Sequence, residues 1–370
     1  MKIVVVPNVW SRGGGLEIVT RDIVQALCNF GHEVVILPAW GEGEDGPWDG
    51  DRRDLTPGTA TVKYYQPHNR ILLSLWFRYF KFPVLANKIE AELKGGGLVI
   101  FGHVHLTPIV GHMKHPDRIR KWVWTHGDEV WGNLAVKWSR WLNQLDGIVS
   151  VSNDTKGHLE RGGVTTPVTT IHNSIDTNRF TPTTTPERIR RDEVMICSRI
   201  PHDFEYKGHV RLMDAIRRAE EILGRPVRLR IVGGGAGLER LKSLVKERGQ
   251  ENRVTVAGRI SDEELIDAYR HCGVYCMPSD NEGFGLVYAE AEACARPVIV
   301  STIGGAPETI IPGVTGILAN PFDIEANARA IVEILSNAQK ADLMGRKGNE
   351  FVNREYSFDA FKDKIRKILD

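Results

Sequence analysis

The stretch Met277-Pro-Ser-Asp-Asn-Glu-Gly-Phe-Gly-Leu-Val-Tyr-Ala-Glu-Ala291 decides the fold, because it places two glutamates eight positions apart around a glycine-rich turn. The short apolar run before it ends at Pro278 and predicts a buried parallel strand. After Gly285 the apolar residues recur at helical spacing, which predicts a helix whose first backbone amides have no acceptor within the helix. Such a helix start attracts anions and polar oxygens. We therefore expect a ligand site at this turn.

The two glutamates of the stretch are suited to binding hydroxyl groups. Glu282 lies on the predicted turn, and Glu290 follows about two helical turns later. One carboxylate can accept hydrogen bonds at the mouth of a site and the other deeper along the helix, where the cis-diol of a ribose is a suitable donor. The alternative is a surface helix with two solvated glutamates, and the long ordered string of motif residues argues against it.

A longer series of residues carries a family resemblance. It comprises Pro278-Ser279, Glu282-Gly-Phe-Gly-Leu286, Glu290-Ala291, Ala293-Cys294, Pro297-Val-Ile299, Gly304-Gly305 and Pro307-Glu308. In this order the residues resemble the donor-binding signature of the family 4 retaining glycosyltransferases. The resemblance implies the GT-B fold, in which two Rossmann-like, doubly wound parallel-sheet domains face a cleft and a C-terminal helix crosses back to the N-domain. Ala295 stands where the family usually has glycine, and we expect this departure to affect packing more than chemistry.

The resemblance also implies roles for individual residues of the C-terminal half. Glu282 would orient the donor sugar, and Glu290 would bind the ribose. Arg199 and Lys207 would grip the donor diphosphate and stabilise it as it leaves, in a fold that generally lacks a catalytic metal; a solvated surface pair is the alternative. Arg259 follows a strand and a glycine, and it either stacks on the base or is a plain surface arginine. The turn residues implied to bind the donor are Gly283, Phe284, Gly285 and Leu286.

The N-terminal half offers a second group of candidates. His126 follows the predicted strand Lys121-Trp-Val-Trp124, and the resemblance makes it the catalytic candidate beside the donor sugar; an ordinary loop histidine is the alternative. Asp128 is a candidate for binding the acceptor or helping to deprotonate it. His103 and His105 lie at another strand end, where we expect them to line or support the cleft rather than to form a metal site, and His105 is a second candidate for binding the acceptor.

Three other motifs have both a functional and a structural interpretation. Gly14 and Gly15 precede a predicted helix, where small residues let the backbone approach a diphosphate or sugar; a flexible loop is the alternative, and a third glycine for dinucleotide binding is missing. Asn173 matches a recurrent motif near the expected interdomain hinge, which we interpret as mainly structural. The segment Asp49-Gly-Asp51 mimics the metal motif of the other glycosyltransferase fold, and we discount it because it lies in a loop rich in glycine and proline.

Composition restricts the class of protein. A chain of 370 residues suits two domains, and 48 lysines and arginines against 47 acidic residues give a net charge of +1, so nothing indicates a nucleic-acid partner. Five cysteines at irregular spacing argue for a reducing compartment rather than a disulfide framework or structural zinc. The N-terminal apolar run is too short for a signal peptide, and no later run approaches the roughly 20 residues of a membrane span. We expect a cytoplasmic protein that remains free to contact the inner face of the membrane.

Strand-like apolar runs alternate with helix-period segments, and this alternation occurs twice, which predicts two doubly wound parallel sheets. A polar, proline-bearing segment at residues 180–186 separates the two series and predicts a linker. We expect an acceptor-binding domain at residues 1–180, a nucleotide-sugar-binding domain at residues 181–355 and a helix at residues 356–370 that packs back on the N-domain. The predicted strands are residues 3–6, 33–37, 98–101, 121–124, 147–151 and 168–171 in the first series and 194–197, 227–232, 254–256, 274–276 and 297–300 in the second.

The segment from Arg70 to Phe82 interleaves aromatic and cationic residues. An amphipathic surface for a membrane or a lipid-linked acceptor, and a wall of the acceptor pocket, are the two functional interpretations. A packed helix is the simpler alternative, because Trp and Phe are mostly core residues.

These observations together predict a retaining hexosyltransferase. The hexose would pass from a UDP- or GDP-sugar to a hydroxyl of a glycan, a lipid-linked acceptor or a small molecule, with no cofactor and no metal required. Retention is implied by the resemblance. A nucleotide-sugar epimerase or a phosphorylase of the same fold is one rival, although neither has a visible signature in the chain. A catalytically silent nucleotide- or glycan-binding protein is the other, and the four charged residues of the C-terminal half argue against it.

Overall fold

The computed structural model describes residues 1–8, 10, 14–40, 46–47, 60–63 and 81–369. They form two compact units, which we call unit 1 (Met1–His172 with Lys362–Asp370) and unit 2 (Asn173–Phe361). The segment Asp49-Gly-Asp51, Gly13 and residues 70–80 lie outside the described residues. None of the helices in the described part of the chain is both long enough and apolar enough to cross a membrane.

Unit 1 is built on an eight-stranded sheet with the order β3-β4-β2-β1-β5-β6-β7-β8. Its strands are β1 (Lys2–Val6), β2 (Glu33–Ile36), β3 (Gly46–Pro47), β4 (Ala60–Val62), β5 (Gly97–Phe101), β6 (Ile119–Thr125), β7 (Gly147–Ser150) and β8 (Val168–Thr170). All neighbours pair in parallel except β3, which runs antiparallel to β4. The helices are α1 (Gly15–Asn29), α2 (Phe82–Glu92), α3 (Asn133–Leu142) and α4 (Asn153–Arg161), and a short 3-10 helix at Asp128–Val130 precedes α3.

Unit 2 is built on a six-stranded parallel sheet with the order β11-β10-β9-β12-β13-β14. Its strands are β9 (Arg190–Cys197), β10 (Arg228–Val232), β11 (Val254–Gly258), β12 (Cys272–Met277), β13 (Val298–Ser301) and β14 (Gly316–Ala319). The helices are α5 (His209–Leu223), α6 (Leu238–Glu247), α7 (Asp262–His271), α8 (Leu286–Ala293), α9 (Ile324–Leu335) and α10 (Ala338–Glu355), and 3-10 turns lie at Glu205–Lys207 and Ala306–Thr309. The last helix, α11 (Phe358–Leu369), begins in unit 2 and ends in the C-terminal residues of unit 1.

Both sheets follow from the sequence pattern. Residues 3–6 of β1 and 272–277 of β12 are buried along their whole length, as parallel strands covered by helices on both faces must be. Polar and glycine residues end the helices. Helix α1 stops before Gly31, whose φ of 76° suits a residue without a Cβ, and Ser261 with Glu264 forms a capping box at the start of α7. The predicted α/β class with two parallel sheets is confirmed.

Three strands were not anticipated, namely β3, β4 and β14. Each has two to four residues, and β3 contains a proline, so their apolar runs are shorter than the roughly four to eight residues that mark a buried strand. β3 and β14 are the edge strands of their sheets and pair with one neighbour each, whereas β4 lies next to the edge, between β3 and β2. The expected linker at residues 180–186 lies inside unit 2, where Arg270 and His271 of α7 hydrogen-bond to Thr181, Thr183 and Thr185.

The strand orders locate the ligand crevice of each unit. In a doubly wound sheet, ligands bind beyond the carboxyl ends of the two strands at which the order reverses. The order reverses between β9 and β12 in unit 2 and between β1 and β5 in unit 1. The loops that follow these four strands are the places to look for functional side chains.

Candidate functional site

A lysine and a glutamate that are 75 residues apart in the sequence meet at the carboxyl edge of the unit 2 sheet. Lys207 lies in the turn that follows β9, and Glu282 lies in the loop that follows β12. The Lys207 Nζ atom is 2.5 Å from Oε1 of Glu282, and the two side chains are only 16% and 12% exposed. The ammonium and the carboxylate are thus paired in a site that is partly shielded from water. An anionic ligand can replace the Glu282 carboxylate as the partner of Lys207 there.

The backbone around this pair is tied together at close range. Gly208 has a φ of 80°, and a Cβ built on it would lie 2.1 Å from the carbonyl oxygen of Pro278. Only glycine therefore lets the turn carrying Lys207 contact the end of β12. The carbonyl of Tyr206 accepts a hydrogen bond from the amide of Asp280, and Arg211 donates to the Pro278 carbonyl. These bonds fix the distance between the two loops.

The double glycine of the sequence motif supports Glu282 from the other side. The amide of Gly305 donates to the Glu282 carbonyl at 2.8 Å. Gly304 has a φ of 70°, and a Cβ on it would lie 2.5 Å from the same oxygen. The loop after β13 can therefore approach Glu282 only because it lacks side chains at this point.

The expected helix start is present as α8. Gly285 caps it with a φ of 95°, and Leu286 is its first residue. Phe284 is buried, with its ring edge-on to Tyr356 at 5.1 Å, so this side chain anchors the turn rather than facing a ligand. Gly283 lies half-buried before it. The Tyr288 amide donates to the Gly285 carbonyl. The amides of Leu286 and Val287 precede this bond and have no acceptor within the helix, which is the arrangement that suits a polar ligand.

Glu290 lies in α8 and is half-buried. Its Oε2 accepts a hydrogen bond of 2.8 Å from the hydroxyl of Tyr269, which is completely buried on α7. Burial raises the pKa of the Glu290 carboxyl to about 7, while the Tyr269 hydrogen bond and the nearby Arg179 guanidinium act in the opposite direction. Arg179 itself pairs with Asp262 at 2.9 Å.

Arg199 lies two residues beyond β9 and is exposed, with no ion-pair partner among the residues that the structure describes. Two hydrogen bonds of His209 fix the segment that carries Arg199. Its Nδ1 donates to the Phe204 carbonyl, and its Nε2 accepts from the Ser198 hydroxyl. A carbonyl can only accept, so the ring is the Nδ1–H tautomer. Burial lowers the pKa of His209 to about 4, which keeps the ring neutral.

The glycine-rich turn after β10 packs against the same segment. A Cβ on Gly233 would lie 1.8 Å from the Ser198 carbonyl, and one on Gly235 would lie 2.1 Å from that of Ile200. The turn therefore positions Arg199 by close backbone contact. Arg259 is exposed after β11, and its Cβ lies 3.5 Å from where a Cβ of Gly234 would be.

The unit 1 candidates gather at the carboxyl ends of β5 and β6. His126 follows β6, and its Nε2 lies 2.9 Å from the carbonyl of Gly102, so Nε2 carries the proton and Nδ1 is left as an acceptor. Burial lowers the pKa of His126 to about 4, although the bond to Gly102 and the charge of Asp128 oppose this shift. The imidazole is neutral near pH 7 and acts through hydrogen bonds rather than through charge.

A buried carboxyl supports the His126 loop. Oε1 of Glu129 accepts a hydrogen bond of 2.5 Å from the His126 amide, and Glu129 is 8% exposed. Burial raises the pKa of Glu129 to about 7, against the lowering effect of the backbone amides of His126, Gly127 and Glu129 itself. Gly127 has a φ of 141°, a backbone conformation that glycine adopts without strain because it has no Cβ.

The same region contains an open pocket of about 350 Å³. Asp128 and His105 are exposed at this pocket, and the His105 ring lies 5.0 Å from that of Trp138. Its lining residues are His103, His105, Asp128, Glu129, Leu134, Lys137 and Trp138. Among the residues that the structure describes, no three histidine, cysteine or acidic side chains are grouped as ligands for a metal ion.

Gly14 and Gly15 lie where the connection from β1 meets α1, at the second strand where the order of the unit 1 sheet reverses. Gly14 caps α1 with a φ of 107°, and a Cβ on it would lie 2.3 Å from Oε2 of Glu17. Gly15 is the first residue of the helix.

Sequence reasoning missed Tyr269, His209 and Glu129, because burial of a polar side chain carries no signal in a single sequence.

Two family models match the chain and together cover most of it. The model "Glycosyltransferase Family 4" matches residues 13–179, and "Glycosyl transferases group 1" matches residues 189–351. A GDP-mannose-dependent alpha-(1-6)-phosphatidylinositol monomannoside mannosyltransferase of Mycolicibacterium smegmatis is 30% identical over 363 residues, which are 92% of this chain and 90% of that protein. A D-inositol 3-phosphate glycosyltransferase of the same organism is 33% identical over 183 residues, 46% of this chain and 40% of that protein.

Solved structures of low sequence identity share the fold over nearly the full length. HepE of Anabaena, crystallised with UDP and glucose, has a TM-score of 0.78 at 17% identity and covers 100% of this chain and 99% of its own. A sucrose-phosphate synthase of Thermosynechococcus elongatus has a TM-score of 0.79 at 23% identity, covering 100% and 98%. At these identities the likeness concerns the GT-B fold alone.

Proposed function

The chain belongs to glycosyltransferase family 4 and transfers a hexose from a nucleoside-diphosphate sugar, and we propose that the charged loops of unit 2 bind this donor. The membership also makes it a retaining enzyme of a family that uses such donors without a metal ion. The loops that follow β9 and β12 carry the cations and the carboxylate that a diphosphate attached to a sugar requires.

We propose that Lys207 and Arg199 bind the diphosphate of the donor. As the bond between the sugar and the phosphate breaks, negative charge grows on the leaving nucleotide, and two cations with the amides at the start of α8 can stabilise it. In the structure Glu282 pairs with Lys207. When the donor binds, its phosphate replaces the Glu282 carboxylate as the partner of the Lys207 ammonium. Glu282 can then accept hydrogen bonds from the sugar hydroxyls. The second carboxylate, Glu290, accepts from the ribose.

Retention follows from attack on the same face that the leaving group occupies. In this scheme the acceptor hydroxyl forms a bond to the anomeric carbon while the bond from that carbon to the phosphate oxygen breaks. The hydroxyl proton passes to the departing phosphate oxygen, so the protein needs no covalent nucleophile. His126, which is neutral, supplies hydrogen bonds near the reacting centre in this proposal.

We propose that the unit 1 pocket binds the acceptor. Asp128 offers a carboxylate to a hydroxyl, Lys137 offers a cation, and the rings of His105 and Trp138 form an aromatic wall of the kind on which sugar and cyclitol rings pack. The relatives are named for phosphatidylinositol monomannoside and D-inositol 3-phosphate. An inositol-bearing glycan or lipid, with GDP-mannose as donor, is therefore the first substrate pair that we propose.

We propose a cytoplasmic location for the reaction. All five cysteines are free, and four of them are buried. A chain with this cysteine usage is suited to a reducing compartment. Contact with the membrane through the segment from Arg70 to Phe82 stays a prediction, because only Lys81 and Phe82 of that segment are described.

The contact between Lys207 and Glu282 at the point where the strand order reverses carries this proposal. Its test is thermal stabilisation of the purified protein by UDP, GDP, ADP and their sugars, because a ligand that binds the folded state raises the melting temperature by mass action. We expect a shift with one nucleotide class, and its loss in Lys207→Ala and in Glu290→Ala. Lys242→Ala is the matched control, since Lys242 is exposed on α6 and pairs only with Glu239 in the described residues.

A nucleotide-dependent shift that survives both substitutions would place the donor elsewhere. No shift with any nucleotide, in folded protein, would instead favour a silent binding protein. Turnover is then measured with the stabilising donor and inositol-bearing acceptors, and the anomeric configuration of the product is read by NMR.

A further inference from the structure

Three buried tyrosines form a row behind the unit 2 crevice. Their rings contact one another in sequence, with 5.7 Å between the centroids of Tyr269 and Tyr275 and 5.6 Å between those of Tyr275 and Tyr288. All three are 0% exposed. Because a buried phenol must give its hydrogen to an acceptor, the partner of each hydroxyl is informative.

Two of the three hydroxyls hold the main chain at the ends of strands. Tyr275 donates to the carbonyl of Cys197, the last residue of β9, and Tyr288 donates to the carbonyl of Met277, the last residue of β12. Both bonds secure the loops that follow these strands. They are structural anchors of a general kind.

The third hydroxyl has a different partner. Tyr269 donates to Oε2 of Glu290 at 2.8 Å, and it alone among the three binds a side chain that the proposed function assigns to the donor. Its ring lies edge-on to that of Phe180 at 5.9 Å and tilted against that of Tyr275, so the hydroxyl has a fixed position. Burial raises the pKa of the Tyr269 hydroxyl well above its usual value, so it remains a donor throughout the physiological pH range.

We propose that Tyr269 is a positioning residue for nucleotide binding: it holds the Glu290 carboxylate in the orientation that accepts hydrogen bonds from the ribose hydroxyls. The inference rests on the proposed function, because it requires that Glu290 binds the ribose. A carboxylate has two oxygens with about four acceptor positions, and one hydrogen bond from a rigid donor leaves the others directed at the ligand. Without that bond the carboxylate can rotate, and part of the binding free energy is spent on ordering it.

The experiment compares ribonucleotide and deoxyribonucleotide binding to the full chain by titration calorimetry. The probes are GDP and UDP and their 2′,3′-dideoxy analogues, and the variants are Tyr269→Phe, Tyr275→Phe and Tyr288→Phe. We expect Tyr269→Phe to weaken binding of the preferred ribonucleotide on the order of tenfold, since the lost bond is to a charged group, and to leave the dideoxy analogue unchanged. Tyr275→Phe and Tyr288→Phe should affect both probes equally, because neither hydroxyl binds Glu290.

The outcomes separate this inference from the function on which it rests. If wild-type protein binds the ribo and dideoxy forms equally, Glu290 does not bind the ribose, and both the assignment of that residue and the inference fail. If wild-type protein discriminates and Tyr269→Phe discriminates equally well, the inference alone is overturned. An equal loss with both probes would make Tyr269 a structural residue like its two neighbours.

A double variant covers the case in which Tyr269→Phe does not fold because Glu290 is left without its partner. Tyr269→Phe combined with Glu290→Ala removes that carboxylate as well. We expect the double variant to bind the ribonucleotide as Glu290→Ala does, because Tyr269 acts only through Glu290. Weaker binding by the double variant would show that Tyr269 acts by another route and would contradict the inference.

Discussion

Replacing Glu129 by glutamine should change how the stability of unit 1 depends on pH. In the folded protein burial raises the pKa of this carboxyl to about 7 from an ordinary value of 4.5. Between these two pH values the folded state holds a proton that the unfolded state has released. The stability of the wild-type protein therefore falls as pH rises through this window and changes little from this source above it.

The magnitude follows from the size of the shift. Each pKa unit corresponds to about 1.4 kcal/mol, so a shift of about 2.5 units amounts to roughly 3 kcal/mol of unfolding free energy. Glutamine has a carbonyl that can still accept from the His126 amide, but it has no proton to lose. The difference in stability, glutamine variant minus wild type, should therefore grow by up to about 3 kcal/mol from pH 4.5 to pH 7.5, or roughly 5–10 °C in melting temperature.

The assay uses a convenient property of the chain. All nine tryptophans precede residue 142, so intrinsic fluorescence reports on the unfolding of unit 1. Melting curves are recorded from pH 4.5 to 8.5 at constant ionic strength for wild type, Glu129→Gln and Glu160→Gln, an exposed glutamate on α4 that serves as control. Effects of pH on all other groups cancel in the difference. Parallel pH profiles for wild type and Glu129→Gln would refute the reasoning.

Three further predictions concern unit 2. The pKa of Glu290 is about 7, so donor affinity should rise by up to about tenfold from pH 6 to pH 8 as the carboxylate ionises, and Glu290→Gln should abolish this rise in calorimetric titrations with an intact nucleotide sugar. Ala295 has a φ of 55° in the turn that ends α8, so Ala295→Gly should stabilise the protein by about 0.5–1 kcal/mol in urea unfolding without changing turnover; a loss of stability would contradict this. Gly285→Ala should lower the free energy of unfolding by about 2 kcal/mol or more and should weaken donor binding, since the new Cβ would lie 2.6 Å from the Tyr288 ring. Gly313 has a similar φ but open space around it, so Gly313→Ala should lower the free energy of unfolding by only about 1 kcal/mol and leave donor binding unchanged. Equal losses of stability in the two variants would exclude crowding as the cause.

The structure shows why glycine is favoured at the position that Ala295 occupies. The amide of Arg296 donates to the Ala291 carbonyl, and that of Ala295 donates to the Glu292 carbonyl, which is the hydrogen-bond pattern of a helix ending in a left-handed residue. Glycine is preferred at such a position because it has no Cβ. The observed consequence of the alanine is a left-handed backbone at the end of α8, and its effect on packing stays a prediction.

Alternating periodicity and motif spacing were sufficient to predict the two parallel sheets and the helix start at Leu286, because both depend on interactions between residues close in sequence or on a repeated apolar pattern. The motif order likewise identified Glu282 and Glu290 as candidates. The edge strand β14 escaped prediction, since its four residues gain their pairing energy from β13 rather than from their own sequence.

The contacts that make a site of these candidates were decided by tertiary structure. Lys207 reaches Glu282 because the chain order reverses between β9 and β12, which brings together loops from distant parts of the sequence. The pKa values of Glu290 and Glu129 depend on burial and on the partners that folding supplies, namely the Tyr269 hydroxyl and the amides of the His126 loop. A sequence by itself determines which groups a chain carries and which local elements they favour, whereas their solvation and their distances from one another exist only once the sheets and loops have packed.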